Sequence, residues 1–371
     1  MAWNWQSPDW PNFKWDHARI GTAEEQFLLG AGITIGTLKH LRNEERDQLM
    51  VELMSGEAVT TSAIEGEVLN RASVQSSILR QLGLASPDKR RVVPAERGIA
   101  EMMVDLYRSF SEPLSEEMLF NWHRMVTSGR SDLNDIERYR TSREPMQIVS
   151  GPIGAPKVHF EAPPSKQVPA EMKQFMAWFN RTAPNGKEPL PAITRAGAAH
   201  LYFESIHPFE DGNGRIGRAI AEKAMTQSFD QPVLVSLATA ILAHQKKYYE
   251  ALEKANRRND ITEWLAWFAE ISLEAQRRSI AFIEFIIAKT KLLDRLRGQI
   301  NERQQKALLR MFREGPEGFK GGLSAGNYST ITGASPATTT RDLAELVEKG
   351  ALVRTGERRH ARYSLNLIQR R

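Results

Sequence analysis

The chain has 371 residues, of which 41% are hydrophobic, and a net charge of +5; it is long enough to bury a large core and to form two or three domains. The absence of cysteine excludes disulfides, thiol catalysis and Cys-ligated zinc, and it fits a reducing cytoplasm. No apolar run could span a bilayer and the N-terminus lacks a signal region, so we expect a cytoplasmic protein without membrane contact.

Tryptophans crowd the first stretch of the chain, at Trp3, Trp5, Trp10 and Trp15. Neighbouring prolines prevent an early helix. Because large aromatic side chains mostly stabilise proteins by burial, we expect these rings to hold the N-terminus on a helical body.

Two helices are predicted next, over 23–29 and 43–65. Gly30 is the expected stop of the first helix. Asn43 suits the N-cap of the second helix, and Gly66 suits the position just beyond its end.

The end of the second helix reads Thr61-Ser62-Ala63-Ile64-Glu65-Gly66. Thr61 and Glu65 are four residues apart, so they share one face of the helix. Taken alone, the pattern is an ordinary helix end with a solvated carboxylate.

The periodicity changes further along the chain. Residues 95–126 repeat apolar side chains at helical spacing and predict core helices. Between 139 and 164, Gln147-Ile148-Val149-Ser150 and Val158-His159-Phe160 flank a region rich in Gly and Pro. This pattern predicts a short β-hairpin that leans on the helical core.

A second apolar helix is predicted over 193–206, and the string that follows it is His-Pro-Phe-Glu-Asp-Gly-Asn-Gly-Arg-Ile-Gly-Arg, from His207 to Arg218. The two glycines that bracket Asn213 let consecutive N–H groups turn inward as an anion site. A helix predicted over 215–229 follows, and its N-terminus adds to the attraction for phosphate.

The side chains of this loop add chemistry to the anion site. Arg215 and Arg218 are one helical turn apart and can present planar forks to phosphate oxygens. Asp211 is an oxygen ligand suited to Mg²⁺, and His207 can accept a proton from an incoming hydroxyl. Together, the anion site and these side chains indicate nucleotidyl or phosphoryl transfer. The alternative is a helix-loop-helix turn in which these residues have only structural roles.

The string resembles the signature of the Fic family, His-Pro-Phe-x-Asp-Gly-Asn-Gly-Arg-x-x-Arg, at every fixed position. The resemblance implies a helical enzyme that transfers AMP from ATP to a protein hydroxyl. It assigns His207 as general base and Asp211 as ligand of Mg²⁺. It further implies that Gly212, Asn213, Gly214 and Arg215 hold the α- and β-phosphates and that Arg218 holds the γ-phosphate.

The resemblance also gives the earlier helix end a role. Thr61-x-x-x-Glu65-Gly66 is similar to the inhibitory helix of Fic proteins, in which the glutamate pairs with the second motif arginine, here Arg218. A carboxylate on Arg218 competes with the γ-phosphate for the guanidinium and repels it. ATP is then held in a pose unfit for transfer.

Two further regions resemble Fic elements. The hairpin is similar to the Fic flap, which covers the site and pairs main chain with the target segment; the flap residues are Ile148, Val149, Ser150 and Gly151. Tyr249 and Asn256 are candidates for the adenine and ribose contacts, and ordinary helix packing is the alternative. The resemblance ends near residue 271, where a helix starting beside Asp260 carries the last core positions.

Beyond residue 271 the sequence no longer resembles the Fic core. A connecting helix is predicted over 272–297. Residues 301–371 carry 13 Lys and Arg against 7 Asp and Glu, so the basic excess lies here. Helices predicted over 304–312, 328–332 and 336–349, followed by a basic hairpin over 352–365, resemble a winged-helix domain.

A winged helix favours duplex DNA as a partner. The predicted groove contacts are Thr338, Thr339 and Arg341, and the predicted backbone contacts are Arg358, Arg359 and Arg362. The alternative is a domain that contacts a partner protein or a second copy in a homodimer.

These expectations combine into one hypothesis. The fold is mainly α, with an N-terminal inhibitory helical region (1–94), a Fic-type core with a β-hairpin flap (95–271), a connecting helix (272–300) and a winged helix (301–371). The function is autoinhibited, Mg²⁺-dependent transfer of AMP from ATP to a Ser, Thr or Tyr hydroxyl of a protein, which includes the chain itself. The alternatives are removal of AMP by the same site, and a DNA-binding regulator whose core senses nucleotide.

Overall fold

The structure is a computed structural model, and it describes residues 2–39, 41–84, 92–152, 156–229, 231, 235–316 and 318–367, without the side chain of Arg359. The chain divides into two compact units, Met1–Ser279 and Ile280–Arg371. In the described residues, no helix is long and apolar enough to cross a membrane.

The first unit is built almost entirely of helices. Its helices are α1 (Ala18–Lys39), α2 (Asn43–Ile64), α3 (Arg71–Gln81), α4 (Pro94–Arg108), α5 (Glu116–Val126), α6 (Val168–Arg181), α7 (Ala192–Ile206), α8 (Asn213–Gln227), α9 (Leu237–Ala243), α10 (Gln245–Ala255) and the start of α11 (Thr262–Arg295). Strands β1 (Gln147–Ser150) and β2 (Lys157–Glu161) pair antiparallel as the expected hairpin. The prediction of a mainly helical fold is confirmed.

The second unit contains α12 (Glu302–Phe312), α13 (Ala325–Thr332), α14 (Pro336–Glu348) and the antiparallel pair β3 (Leu352–Thr355) and β4 (Arg362–Leu365). Ser335 caps α14 by accepting a hydrogen bond from the Thr338 N–H. Gly333 ends α13 in the left-handed region, at φ 74°. Each of these elements overlaps a helix or strand that the sequence predicts, although α12 begins two residues and α13 three residues before the predicted starts.

The connecting helix is not a separate element. We expected a new helix from residue 272, but α11 runs unbroken from Thr262 to Arg295. No Gly or Pro occurs in this stretch, so nothing in the backbone interrupts the i to i−4 hydrogen bonds. The carboxylate of Asp260 accepts from the Thr262 N–H at the start of the helix.

The prediction that Gly30 stops the first helix is wrong. Gly30 is buried inside α1, where a Cβ atom would lie 2.1 Å from Oε1 of Gln276 on α11. Gln276 in turn donates to the backbone carbonyl of Phe27 at 2.7 Å. The glycine therefore allows close approach of α11 and does not end the helix.

The N-cap of α2 lies one residue earlier than the sequence predicts. Arg42 is the N-cap, and its N–H donates to Glu45, so Asn43 is the first helical residue. At the other end Gly66 adopts φ 83°, a conformation in which glycine is favoured.

The N-terminal tryptophans do hold the chain start on the helical body. Trp3 packs edge-on against Phe160 at 5.3 Å, and the Trp5 indole donates to the Glu161 carbonyl at 2.7 Å. Trp10 packs against Tyr202 of α7. Trp15 stays outside this cluster, with its indole N–H directed to His17.

Helix α7 lies at the centre of the first unit, and all its residues from Ala192 to Ile206 are buried. It packs along α8, and the loop between these two helices is the His207–Gly212 segment. Because both helices are anchored in the core, the loop between them has little freedom.

Candidate functional site

His207 sits at the C-terminal end of α7 with a left-handed backbone, φ 49°. The side chain of Arg140, which is itself buried, donates to the His207 carbonyl at 2.8 Å, and the Arg140 N–H donates to the Pro208 carbonyl at 2.9 Å. Burial lowers the pKa of Arg140 to about 10. These bonds fix the backbone from which the imidazole projects.

The glycine turn that opens α8 has the expected geometry. Gly212 has φ 83°, and a Cβ atom on it would lie 2.8 Å from the Val126 side chain. The next residue, Asn213, starts the helix. The first N–H groups of an α-helix have no partner within it, so this end of α8 can receive an anion.

The side chain of Asn213 has a structural task. It accepts a hydrogen bond from the Phe209 N–H at 2.9 Å and donates to the Phe209 carbonyl at 2.8 Å. Both ends of the amide are therefore used inside the loop. This leaves the backbone N–H of Asn213 for an anion, in line with the expectation that N–H groups of the loop hold phosphate; the role of Asn213 stays a prediction.

Asp211 lies at the lip of the loop among positive groups. Its carboxylate pairs with Arg130, accepts from the Gly212 N–H, and lies 3.3 Å from the Arg215 guanidinium. Burial opposes ionisation, but Arg215 and the Gly212 N–H outweigh it, so the pKa of Asp211 is lowered. The group is a carboxylate at neutral pH.

Both motif arginines are buried and already paired. Arg215 donates to Glu67 at 2.7 Å. Arg218 donates to the Thr61 hydroxyl at 2.7 Å, to the Thr61 carbonyl at 3.0 Å and to Glu65 at 2.6 Å. The structure therefore joins the end of α2 to α8, and the pairing of Glu65 with Arg218 is the contact that the resemblance to Fic inhibitory helices implies.

Glu65 also lies directly against the glycine loop. A Cβ atom on Gly214 would be 2.2 Å from Oε1 of Glu65. Gly66 follows with a left-handed backbone, and the next residue, Glu67, pairs with Arg215. The Glu65 carboxylate thus occupies the space above the first turn of α8, where an anion would be attracted.

Tyr249 and Asn256 have different surroundings. The Tyr249 hydroxyl donates to the carbonyl of Ile64 at the end of α2, and its ring is 45% exposed. Asn256 is buried and accepts from the Ser205 hydroxyl, while its carbonyl accepts from the Asn4 N–H. Tyr249 lies beside Glu65, whereas Asn256 is tied to the N-terminal segment; their nucleoside contacts remain predictions.

The predicted flap residues lie on β1 and its turn. Ile148, Val149 and Ser150 are exposed, and Gly151 has φ 97°. The Ser150 hydroxyl lies 2.6 Å from a ring nitrogen of His159, whose other nitrogen is 2.8 Å from Glu253 of α10. This chain of contacts ties the hairpin to α10.

The structure adds side chains that the sequence did not single out. Arg130 pairs with Asp211, Glu67 pairs with Arg215, and Glu204 lies 3.6 Å from His207. His123 stacks on Phe209 at 4.2 Å, and burial lowers the pKa of His123 to about 4. The sequence held a signal only for Glu204, which is three residues before His207 and so on its face of α7.

The predicted DNA contacts on α14 divide into two groups. Arg341 is exposed and Thr338 is half-buried. The expectation that Thr339 faces a groove is wrong, because Thr339 is 2% exposed and lies on the same face as buried Leu343 and Leu346. On the hairpin, Arg358 is exposed with φ 49°, and the side chain of Arg359 is outside the described residues.

Comparison with known proteins finds a family for the segment that contains the loop from His207 to Arg218. The model of the Fic/DOC family matches residues 113–225, which include the whole string from His207 to Arg218. Residues 113–225 are a Fic/DOC family domain. A second family model, described as a domain of unknown function (DUF4172), matches residues 3–84. That match contains α2 and therefore Thr61 and Glu65, which contact the Fic domain.

Curated relatives match the chain over only part of their own length. The protein adenylyltransferase fic-1 of Caenorhabditis elegans is 26% identical over 225 residues, which are 59% of this chain and 40% of that protein. The chain thus spans less than half the length of this curated relative.

Solved structures agree with the fold. A Fic family protein from Desulfovibrio desulfuricans superposes with a TM-score of 0.52 at 21% identity, covering 94% of this chain and 97% of that one. A Fic domain containing signaling protein from Bacteroides thetaiotaomicron gives 0.51 at 17% identity, covering 71% of this chain and 96% of the other.

Proposed function

We propose that the chain transfers AMP from ATP to a hydroxyl group of a protein and that Glu65 holds it in an inhibited state. The observation that carries the proposal is the loop from His207 to Arg218, which places an imidazole next to the N-terminus of α8 and two arginines. This arrangement offers a base and an anion site within one rigid turn. The C. elegans relative bears the name of this activity.

The reaction follows from the residues of the loop. The hydroxyl oxygen of the target attacks the α-phosphorus of ATP while His207 accepts its proton. The new oxygen–phosphorus bond replaces the bond to the β-phosphate, and pyrophosphate leaves. The N–H groups at the start of α8, with Arg215 and Arg218, stabilise the negative charge on the phosphates.

The donor set of the site fits a Mg²⁺ ion carried by the nucleotide. Among the described residues, no three His, Asp or Glu side chains form a metal cage, and Mg²⁺ is commonly held by one or two carboxylates together with phosphates and water. Asp211 is the carboxylate that would hold it, once Arg130 has turned away. The ion would neutralise phosphate charge.

Inhibition is proposed from the pairing of both motif arginines. Arg218 is bound by Glu65, and Arg215 is bound by Glu67. A triphosphate competes with these carboxylates for the same guanidinium groups and is repelled by their charge. Activity therefore requires that the segment 65–67 withdraw from α8.

The target is proposed to bind at the hairpin. Strand β1 pairs with β2 alone among the described strands, so its second edge is open to an extended segment. Pairing through the main chain reads little of the target sequence, and so it does not fix the identity of the target. The hydroxyl would be presented beside His207.

Incubation with ATP labelled on the α-phosphate, with Mg²⁺, tests the proposed reaction. The proteins are the wild type, His207→Ala, Glu65→Gly and the double variant Glu65→Gly/His207→Ala, each with a mixture of candidate target proteins and alone. Label on protein with Glu65→Gly and its absence with Glu65→Gly/His207→Ala support the proposal. Label that is independent of His207, or no label with any variant, would contradict it.

Duplex DNA is proposed as the partner of the second unit, supported by exposed Arg341 and Arg358 near a capped helix and a hairpin. Retention of the chain on duplex DNA should fall steeply with salt and be lost on replacement of Arg358 and Arg359. Thr339→Val is the matched control, because Thr339 is buried. Retention that changes neither with salt concentration nor on replacement of Arg358 and Arg359 would contradict DNA binding.

A further inference from the structure

The buried side of the His207 ring faces a carboxylate. Nδ1 of His207 has no hydrogen-bond partner among the described residues, and it lies 3.6 Å from Oε2 of Glu204. The His207 side chain is 14% exposed and that of Glu204 is 9% exposed. The open part of the ring must therefore lie away from Nδ1, on the side from which a substrate could approach.

Gly217 makes room for this carboxylate. A Cβ atom on Gly217 would lie 2.4 Å from Oε1 of Glu204 and 3.2 Å from the ring of His200. Gly217 occupies one of the two positions between the motif arginines that the Fic signature leaves open. A larger residue there would push Glu204 away from His207.

The carboxylate is charged. Burial opposes its ionisation, but the contact with His207 and the nearby positive charge of Arg218 outweigh burial, so the pKa of Glu204 is lowered. His200 itself is held in place by Tyr248, whose hydroxyl lies 2.9 Å from its Nε2. A buried anion with an unpartnered oxygen, Oε1, stands next to the proposed base.

We propose that Glu204 is a positioning residue for His207. It keeps the proton of the neutral imidazole on Nδ1, so that Nε2 is free to accept the proton of the target hydroxyl. As His207 becomes positively charged during the reaction, the nearby carboxylate stabilises that charge. The inference rests on the proposed AMP transfer, because it assigns Nε2 as the atom that accepts the proton.

The direct test is the tautomer of His207, read from nitrogen chemical shifts with ¹⁵N-labelled histidine at about pH 8, where an ordinary imidazole is neutral. His207→Gln assigns the signal. The wild type should hold its proton on Nδ1, and Glu204→Gln should lose that preference. Glu171→Gln is the matched control, because Glu171 accepts a hydrogen bond from Trp10 and not from a residue of the loop. An unchanged tautomer in Glu204→Gln would overturn the proposal.

Kinetics in the Glu65→Gly background add an independent readout. Glu204→Gln should lower kcat about 10²-fold, the scale of a weakened general base, with KM for ATP changed less than about threefold. Gly217→Ala should cause a similar loss, and the double variant should lose little more, since both changes act on one contact. If Glu204→Gln keeps the kcat of the Glu65→Gly parent, the proposal is overturned.

The two readouts separate failure of this inference from failure of the proposed reaction. If Glu65→Gly transfers no label, AMP transfer is wrong, yet the tautomer still decides whether Glu204 sets the state of His207. If label is transferred and the tautomer is insensitive to Glu204, only the role of Glu204 is wrong.

Discussion

Nη2 of Arg218 donates to Oε1 of Glu65 at 2.6 Å. The same carboxylate oxygen fills the space that a Cβ atom on Gly214 would need. One acidic side chain thus pairs with the second motif arginine and lies against the first turn of α8. Because an anion bound at the N-terminus of α8 would need this space, we expect nucleotide binding and the Glu65 contact to compete.

Replacement of Glu65 by glycine should raise transfer and strengthen ATP binding. The change removes a negative charge from a 4% exposed guanidinium, and a close charge pair of this kind contributes about 1–3 kcal/mol to binding, or roughly 10-fold or more in affinity. Calorimetric titration with ATP and Mg²⁺ measures the gain.

Glu44→Gly in the exposed first turn of α2 is the control for an effect on the helix itself. It should leave ATP affinity unchanged. An affinity of Glu65→Gly equal to or below that of the wild type would contradict the proposed inhibition.

Glu67 should act as a second inhibitory carboxylate, through the first arginine. Its oxygen is 2.7 Å from Nη1 of Arg215, so Glu65→Gly alone leaves one guanidinium occupied. We expect Glu67→Gln to raise ATP affinity a few-fold by itself and to add to Glu65→Gly, because each carboxylate holds a different arginine. Titration of the two single variants and the double variant measures this. A double variant no better than Glu65→Gly would assign Glu67 a structural role only.

The anchoring of α2 should depend on pH through Glu57. This buried carboxyl group accepts from the Ala238 N–H at 2.7 Å and from Thr239, at the start of α9. Burial raises its pKa from 4.5 to about 7. Between these values the Glu57 side chain of the folded protein keeps a proton that the unfolded chain has lost, so the contribution of Glu57 to the free energy of unfolding falls as pH rises from about 4.5 to about 7.

The size of this fall is about 3 kcal/mol, from 1.36 kcal/mol per pKa unit. Urea unfolding of the wild type and of Glu57→Gln across this range measures it. Glutamine cannot ionise, so the variant should lack this contribution, and the difference between the two pH profiles should show it, whatever the absolute stability of the variant. Parallel pH profiles for the two proteins would show that Glu57 is not the titrating group.

Two glycines of α1 should respond in opposite directions to alanine. Gly30→Ala places a methyl group against Gln276, which is buried and bonded to Phe27, and should destabilise the fold by about 1–3 kcal/mol. Gly32 has open space around it, so Gly32→Ala should stabilise by up to about 1 kcal/mol through helix propensity. Thermal unfolding of both variants measures whether each alanine stabilises or destabilises the fold. A stabilised Gly30→Ala would show that α11 can shift to accommodate the methyl group.

Local sequence was sufficient wherever a feature depends on neighbouring residues. The helix ends at Gly66 and Gly333 and the cap at Ser335 follow from backbone preferences of single residues. The loop at His207–Arg218 was readable for the same reason, since its glycines, its arginines and the start of α8 are contiguous. Spacing alone placed Arg215 and Arg218 on one helix.

Long-range contacts were not readable in this way. Glu67 meets Arg215 across 148 positions of the chain, and Gly30 meets Gln276 of a different helix. The inward orientation of Thr339 and the use of the Asn213 amide inside the loop depend on which face of a helix, or which backbone group, is nearest after packing. A residue's type permits several partners, and the fold selects one.

The sequence by itself determined the helical class of the fold, the glycine turn and the list of side chains able to hold phosphate or accept a proton. Tertiary structure alone decided that Glu67 pairs with Arg215 and that Glu204 faces His207. The physical reason is that turns and helix ends are set by the φ and ψ of a few adjacent residues. Pairing between charges distant in the chain is set by how buried helices pack.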